Sequence, residues 1–152
     1  MKENELFKMA LGLESPWEIT DVTFSASERR LDIHIAFPRG SEFACPVCGD
    51  KHCKAYDTQD SKWRHLNFFQ HTTYLHARRP RIDCPNCGKK TVDVPWGRLG
   101  SGFTHLFEAF VMILAREMPV AAIAKILDEH DTRIWRIIRH HVNDARRHVD
   151  LY

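Results

Sequence analysis

Two periodicities divide the chain. Up to about residue 100 the apolar residues recur mostly at every second position, and beyond it they recur every three or four. The clearest alternation, Leu31-x-Ile33-x-Ile35-x-Phe37, predicts a strand over 30–37. Residues 17–24 alternate well enough to be its partner, with 25–29 as the turn of a hairpin. Residues 62–69 and 72–82 read as two more strands. A short amphipathic stretch over 5–13 predicts one or two helical turns, ended by Pro16. Trp63, Phe68, Phe69 and Tyr74 fit the core of a small sheet better than positions that stack on bases.

Gly97, Gly100 and Gly102 interrupt any regular element, which places a boundary near Gly100 and two domains over 1–99 and 100–152. After it, Phe103, Leu106, Phe107, Phe110, Ile113 and Leu114 form the broad stripe of a buried helix over 103–116. Pro119 suits the first position of a second helix running to Leu127. Asp131 suits the N-cap of a third, from Thr132 to about His148. Three helices with a short break between the last two is the arrangement of a helix-turn-helix. Ala124 is small where two helices would cross, and Ile123, Ile126, Leu127, Ile134, Ile137, Ile138 and Val142 supply apolar packing. Asp128 takes the turn position where glycine is commonest, and aspartate tolerates the left-handed conformation better than most residues. Trp135 reads either as a core plug or as an exposed contact.

The chemistry lies in a repeated phrase, Cys45-Pro46-Val47-Cys48-Gly49 and Cys84-Pro85-Asn86-Cys87-Gly88. Each copy offers two thiolates from a tight turn, and the closing glycine can take φ > 0. Four thiolates bind Zn²⁺ tetrahedrally in structural sites, so Cys45, Cys48, Cys84 and Cys87 are the expected ligands of one structural zinc. Dithiol redox chemistry is the rival, but no βαβ pattern surrounds either pair. Cys53 is the odd cysteine, able to replace a ligand and more simply read as a free thiol. The expected fold class is therefore α+β: an antiparallel zinc-ribbon β domain followed by a three-helix helix-turn-helix domain.

Charge changes the picture through its distribution. The net charge is only +2, yet from Lys62 to Lys90 seven basic residues face the single acid Asp83. From Arg133 to Arg147 there are five arginines, His140 and His141 against Asp144 alone. Arg133, Arg136, His140, Asn143 and Arg147, spaced by three or four, share one helix face. Arginines so placed can fork onto guanine edges or grip phosphates. The expected readers are Arg133, Arg136, Arg139 and His140, with Arg64, Arg78, Arg79 and Arg81 as phosphate contacts from the ribbon. The bland alternative is a three-helix packing unit with a salt-rich surface. Cysteines arranged as metal pairs favour a reducing compartment, hence the cytoplasm, and no apolar stretch is long enough for a leader or a membrane span.

The ordered series of the two knuckles, Trp63-Arg64-His65-Leu66, Arg78-x-Pro80-Arg81-Ile82, Val94-Pro95-Trp96, Phe103-Thr104-x-x-Phe107-Glu108, Ala124-Lys125-Ile126-Leu127 and Ile134-Trp135-Arg136-Ile137-Ile138 resembles a bacterial insertion-sequence transposase family of the ISL-three type. The resemblance implies binding to the terminal inverted repeats of a mobile element, with zinc on the four cysteines and the third helix in the major groove. It also implies a following RNase H-like domain whose acids hold two metal ions. Residues 1–152 offer no such acidic cluster, so the expectation is a DNA-binding module and not an enzyme. Double-stranded DNA is the expected partner, a homodimer is left open, and no membrane is involved. The competing reading is a zinc-ribbon adaptor for a protein or a structured RNA.

Overall fold

The computed structural model describes residues 3–149, which divide between Thr104 and His105 into two compact units. The first holds a helix, α1 (Glu3–Leu11), and six strands: β1 (Glu18–Ser25), β2 (Arg30–Ala36), β3 (Glu42–Phe43), β4 (Cys53–Phe68), β5 (His71–Cys84) and β6 (Gly88–Thr91). The second holds α2 (His105–Ala115), α3 (Val120–Leu127) and α4 (Asp131–Val149). No helix among the described residues is long and apolar enough to cross a membrane.

The sheet order is β1-β2-β5-β4-β3, with β6 also paired to β5. Antiparallel pairing, the expectation throughout, fails at one place: β2 and β5 run parallel, with Ile33 beside Leu75 and His34 beside His76. The cause is the long β4–β5 hairpin, which occupies one edge of β5. The other edge is left to β2 along residues 72–77, then to β6 along residues 81–84. In that register Leu31, Ile33 and Ile35 line up with Thr73, Leu75 and Ala77, and all six are buried. Burying two alternating faces together fixes the register, since a slip by one residue would turn every apolar side chain outward.

Trp17, Trp63 and Trp96 sit over this layer. Their rings meet edge to face, Trp17 with Trp96 at 4.9 Å and Trp63 with Trp96 at 5.3 Å, the geometry the ring quadrupoles favour. Trp63 is thus core, as its place on the strand suggests. Phe69 is not: it stands in the β4–β5 turn at φ 53°, 85% exposed. Tyr74 is half-buried, with Arg30 and Lys62 over its ring at 4.3 and 4.8 Å.

In the second unit Phe107 and Val111 of α2, Ile123 and Leu127 of α3, and Ile134 and Ile137 of α4 are buried. The apolar stripe of α2 is wider than the face its partners cover, so Leu106, Phe110 and Ile113 remain exposed, as does Ile126. Asp128 ends α3 at φ 52°, ψ 52°, in the left-handed conformation expected of it. The N–H of Glu129 then returns to the carbonyl of Ala124, closing the turn. His141 and Glu108 join α4 to α2 through a 2.8 Å hydrogen bond, and Glu108 is almost wholly buried.

One histidine carries a pH consequence. His65 on β4 meets the Thr104 hydroxyl at 2.7 Å, and burial holds its pKa below the usual 6.5. The unfolded chain therefore binds this proton more readily than the folded one. The associated stability is fully present above pH 6.5 and declines as pH falls below it toward the folded value. Melting temperatures of wild type and His65→Gln between about pH 7.5 and 5.5, a window that brackets the ordinary imidazole pKa, should show a flatter pH slope in the variant. Parallel slopes would remove His65 as the cause.

Candidate metal centre and nucleic-acid interface

Two turns build the centre. In the first, the Cys45 N–H donates to the Asp50 carbonyl at 2.8 Å, and the Gly49 N–H returns to the Cys45 carbonyl at 3.0 Å. In the second, Cys84 ends β5 and pairs with Gly88 at the start of β6. Gly49 and Gly88 stand at φ 80° and 78°, a region that costs glycine nothing and strains other residues. The β4–β5 hairpin spans the sequence between the knuckles and returns the second to the first. The four Sγ atoms of Cys45, Cys48, Cys84 and Cys87 all lie within 4.8 Å of one another, with Cys48 and Cys84 at 3.5 Å.

The electrostatics suit a dication. Backbone N–H groups of Cys48 and Val47 point at Cys45 and lower its thiol pKa to about 7. Burial, then the neighbouring thiols, pushes Cys87 up to about 12. Four thiolates cannot gather unaided, because each negative charge opposes the next. A bound cation reverses that and deprotonates its ligands. The donor set, four soft sulfurs converging from two turns, fits one structural zinc, which would be held closed with no position open for catalysis.

Cys53 lies close by, grouped with Asp50 and Cys84. Its thiol donates to the Asp50 carbonyl at 3.7 Å, and burial pushes its pKa up to about 11. Cys53 is not one of the four thiols that converge mutually, and this position supports the free-thiol reading.

The basic residues singled out in the sequence meet different fates. Arg64 is only 2% exposed, with its Nη2 donating to Asn67 at 3.1 Å, because residues 102–104 bond along its stretch of β4. Arg79 is 9% exposed and sits on the core side, its guanidinium 5.5 Å from the Trp63 ring. Burial lowers its pKa, against a weaker opposing pull from Asp93. These two side chains are therefore not surface groups. Arg81 reaches the surface but is bound in a bidentate pair to Asp57, one arm at 2.6 Å. Of the four ribbon arginines, Arg78 is the exposed one.

On α4, Arg136, Arg139 and His140 are exposed, and Arg133 is half-buried in a 2.8 Å ion pair with Glu129. Trp135 is 45% exposed with the Arg139 guanidinium 6.0 Å from its ring, so it is a surface contact and not a plug.

The ligand assignment makes a direct prediction. A structural zinc contributes roughly 10–16 kcal/mol of apparent binding free energy to such small domains. Cys84→Ser should therefore lose the metal and unfold the first unit, whereas Cys53→Ser should keep about one zinc per chain. Metal content by mass spectrometry with circular dichroism on both variants decides it. Zinc retained in Cys84→Ser, or lost in Cys53→Ser, would overturn the ligand set.

Comparison with known proteins matches residues 41–93 to the zinc-finger of transposase IS204/IS1001/IS1096/IS1165, and residues 92–142 to the helix-turn-helix domain of transposase family ISL3. The chain is 27% identical over 158 aligned positions to the transposase for insertion sequence element IS1557 of Mycobacterium tuberculosis, in strains CDC 1551 / Oshkosh and ATCC 25618 / H37Rv. That alignment takes in all of this chain and 35% of each relative, so the chain spans about a third of their length. No solved structure matches it significantly. With the four cysteines inside the first match and the αL turn inside the second, the chain carries, back to back, the zinc ribbon and the helix-turn-helix domain of the ISL3 transposase family.

Proposed function

We propose that this chain binds double-stranded DNA sequence-specifically, as the DNA-binding part of a transposase, and that its sites are the terminal inverted repeats of an insertion sequence. The observation that carries this reading is the surface of α4. Ile134 and Ile137 anchor the helix, and Arg136, Arg139 and His140 stand free to solvent immediately after a tight αL turn. That is the disposition by which a recognition helix enters a major groove with its amino-terminal half against the base edges. Arg133, already paired with Glu129, suits a contact to the backbone, reached by exchanging one anion for another.

Zinc serves this reading indirectly, by folding the ribbon. The proposed role is binding without strand cleavage. Among the described residues, the groups that converge on a metal-sized space are Cys45, Cys48, Cys84 and Cys87, and Asp50 with Cys53 and Cys84. Neither is the acidic cluster that two-metal strand transfer uses.

Fluorescence anisotropy of zinc-loaded protein on a duplex library that includes insertion-sequence ends tests the reading. Wild type should select one family of ends. Arg136→Ala should cost about 1–3 kcal/mol on the preferred site and relax the base preference at one position. Equal, weak affinity for every duplex, unchanged by the substitution, would sink it.

A further inference from the structure

The outer face of the first unit's sheet carries a second polar constellation that neither the cysteines nor α4 account for. A concavity of about 830 Å³ opens there, between the end of β2 and the middle of β4 and β5. His34 and His76, neighbours in the parallel register, stack across its floor with ring centroids 4.6 Å apart and planes 16° from parallel. Arg39 and Arg78 stand at its rim with the hydroxyls of Thr20, Thr58 and Ser61.

The charges here are arranged unequally. Asp32, beneath the imidazoles, is already satisfied: Arg30 grips it bidentately at 2.8–3.1 Å and His76 Nε2 donates to it at 2.6 Å. Burial alone would raise its pKa, yet those two partners hold it below the usual range, so it stays an anion spent on its neighbours. Asp21, beside His34 in the register, accepts from Thr23 at 3.2 Å. Asp60 is the one carboxylate in the lining. Neither Arg39 nor Arg78 is held in an ion pair among the described residues, although Asp60 stands opposite Arg78 in the β4–β5 register. His76 is spent on Asp32, and the Thr20 and Ser61 hydroxyls already donate to the carbonyls of His34 and Gln59. The two guanidinium groups of Arg39 and Arg78, with the Thr58 hydroxyl, against the one acid Asp60 make a surface complementary to an anion.

The aromatic rings say which part of a nucleic acid fits. A platform for unpaired bases needs open ring faces. Here His34 and His76 each cover one face of the other, and the Tyr74 ring has Arg30 and Lys62 over it. The strongest groups left for a ligand are the Arg39 and Arg78 guanidinium donors, the kind that hold phosphates. We propose that this concavity is a second DNA contact, binding the phosphodiester backbone of a duplex through Arg39 and Arg78 without reading its sequence. The inference rests on the DNA-binding reading above, and it locates the ribbon's own grip at exposed side chains rather than at the buried Arg64 and Arg79.

The test is the salt dependence of the full-length, zinc-loaded chain on a duplex. Each phosphate contact contributes about 0.9 to the slope of log affinity against log salt. Arg39→Ala with Arg78→Ala should flatten that slope by about 1.8 and weaken all duplexes alike, while leaving base preference, zinc content and melting temperature unchanged. A wild-type slope in the double variant would overturn the proposal and leave α4 as the reader. So would loss confined to single-stranded probes, which would make the face a base platform. A wild-type chain with no affinity for any duplex would instead sink the DNA-binding reading itself, and this site with it.

Discussion

Cys48 and Cys84 are 36 residues apart in sequence and 3.5 Å apart in space, and closing that distance organises the first unit. Four thiolates repel one another, so only a dication makes their convergence favourable. Once they converge, the chain between them must leave the first knuckle and return to the second. The long antiparallel hairpin of β4 and β5 does this and satisfies its backbone groups on the way. The apolar core then forms against a frame whose ends are already joined, which limits the entropy that each further contact must overcome.

The hairpin in turn explains the mixed sheet. With one edge of β5 filled by β4, β2 takes the other, and it does so in parallel because Leu31, Ile33 and Ile35 then meet the buried side of β5. The consequence reaches the opposite face. The same register sets His34 beside His76 and brings Asp32 within reach of both Arg30 and His76. Core packing on one side of the strands therefore fixes a polar network on the other. Neither face could slip without disturbing its counterpart.

Much of this was legible from residues alone, for identifiable reasons. The knuckles carry their geometry in their spelling, because the glycine after the second cysteine is needed at φ > 0 and stands there in both copies. The alternation of β2 and the αL turn at Asp128 were similarly local. The first half of β4 was not, since residues 53–61 are mainly polar and gain strand structure from their pairing with β5 rather than from apolar alternation. Parallel pairing leaves no mark in a single strand's pattern. Arg64 and Arg79 were misleading because burial of an arginine depends on what covers it, here residues 102–104 and Trp63. Along β5 the buried positions run 73, 75, 77, 79 and then 80, 82, 84, and a register shift in the facing strand accompanies the change.

Burial and pairing also decide what a basic sequence is worth to a polyanion. A guanidinium already bound to a carboxylate must give up that partner before it gains a phosphate, so its net contribution is small. Arg30, Arg81 and Arg133 are in that position, with Asp32, Asp57 and Glu129 respectively. Arg64 and Arg79 are buried and contribute less still. The exposed arginines considered above that are held in no ion pair are then few, and they fall in both units: Arg39 and Arg78 in the first, Arg136 and Arg139 in the second. Neither pair alone offers much affinity at physiological salt, where screening is strong. If both pairs contact one duplex, as proposed, their covalent connection raises the effective concentration of each for the other's site. In the proposed reading, specificity then rests on base contacts from α4, while the ribbon supplies the sequence-independent part of the grip.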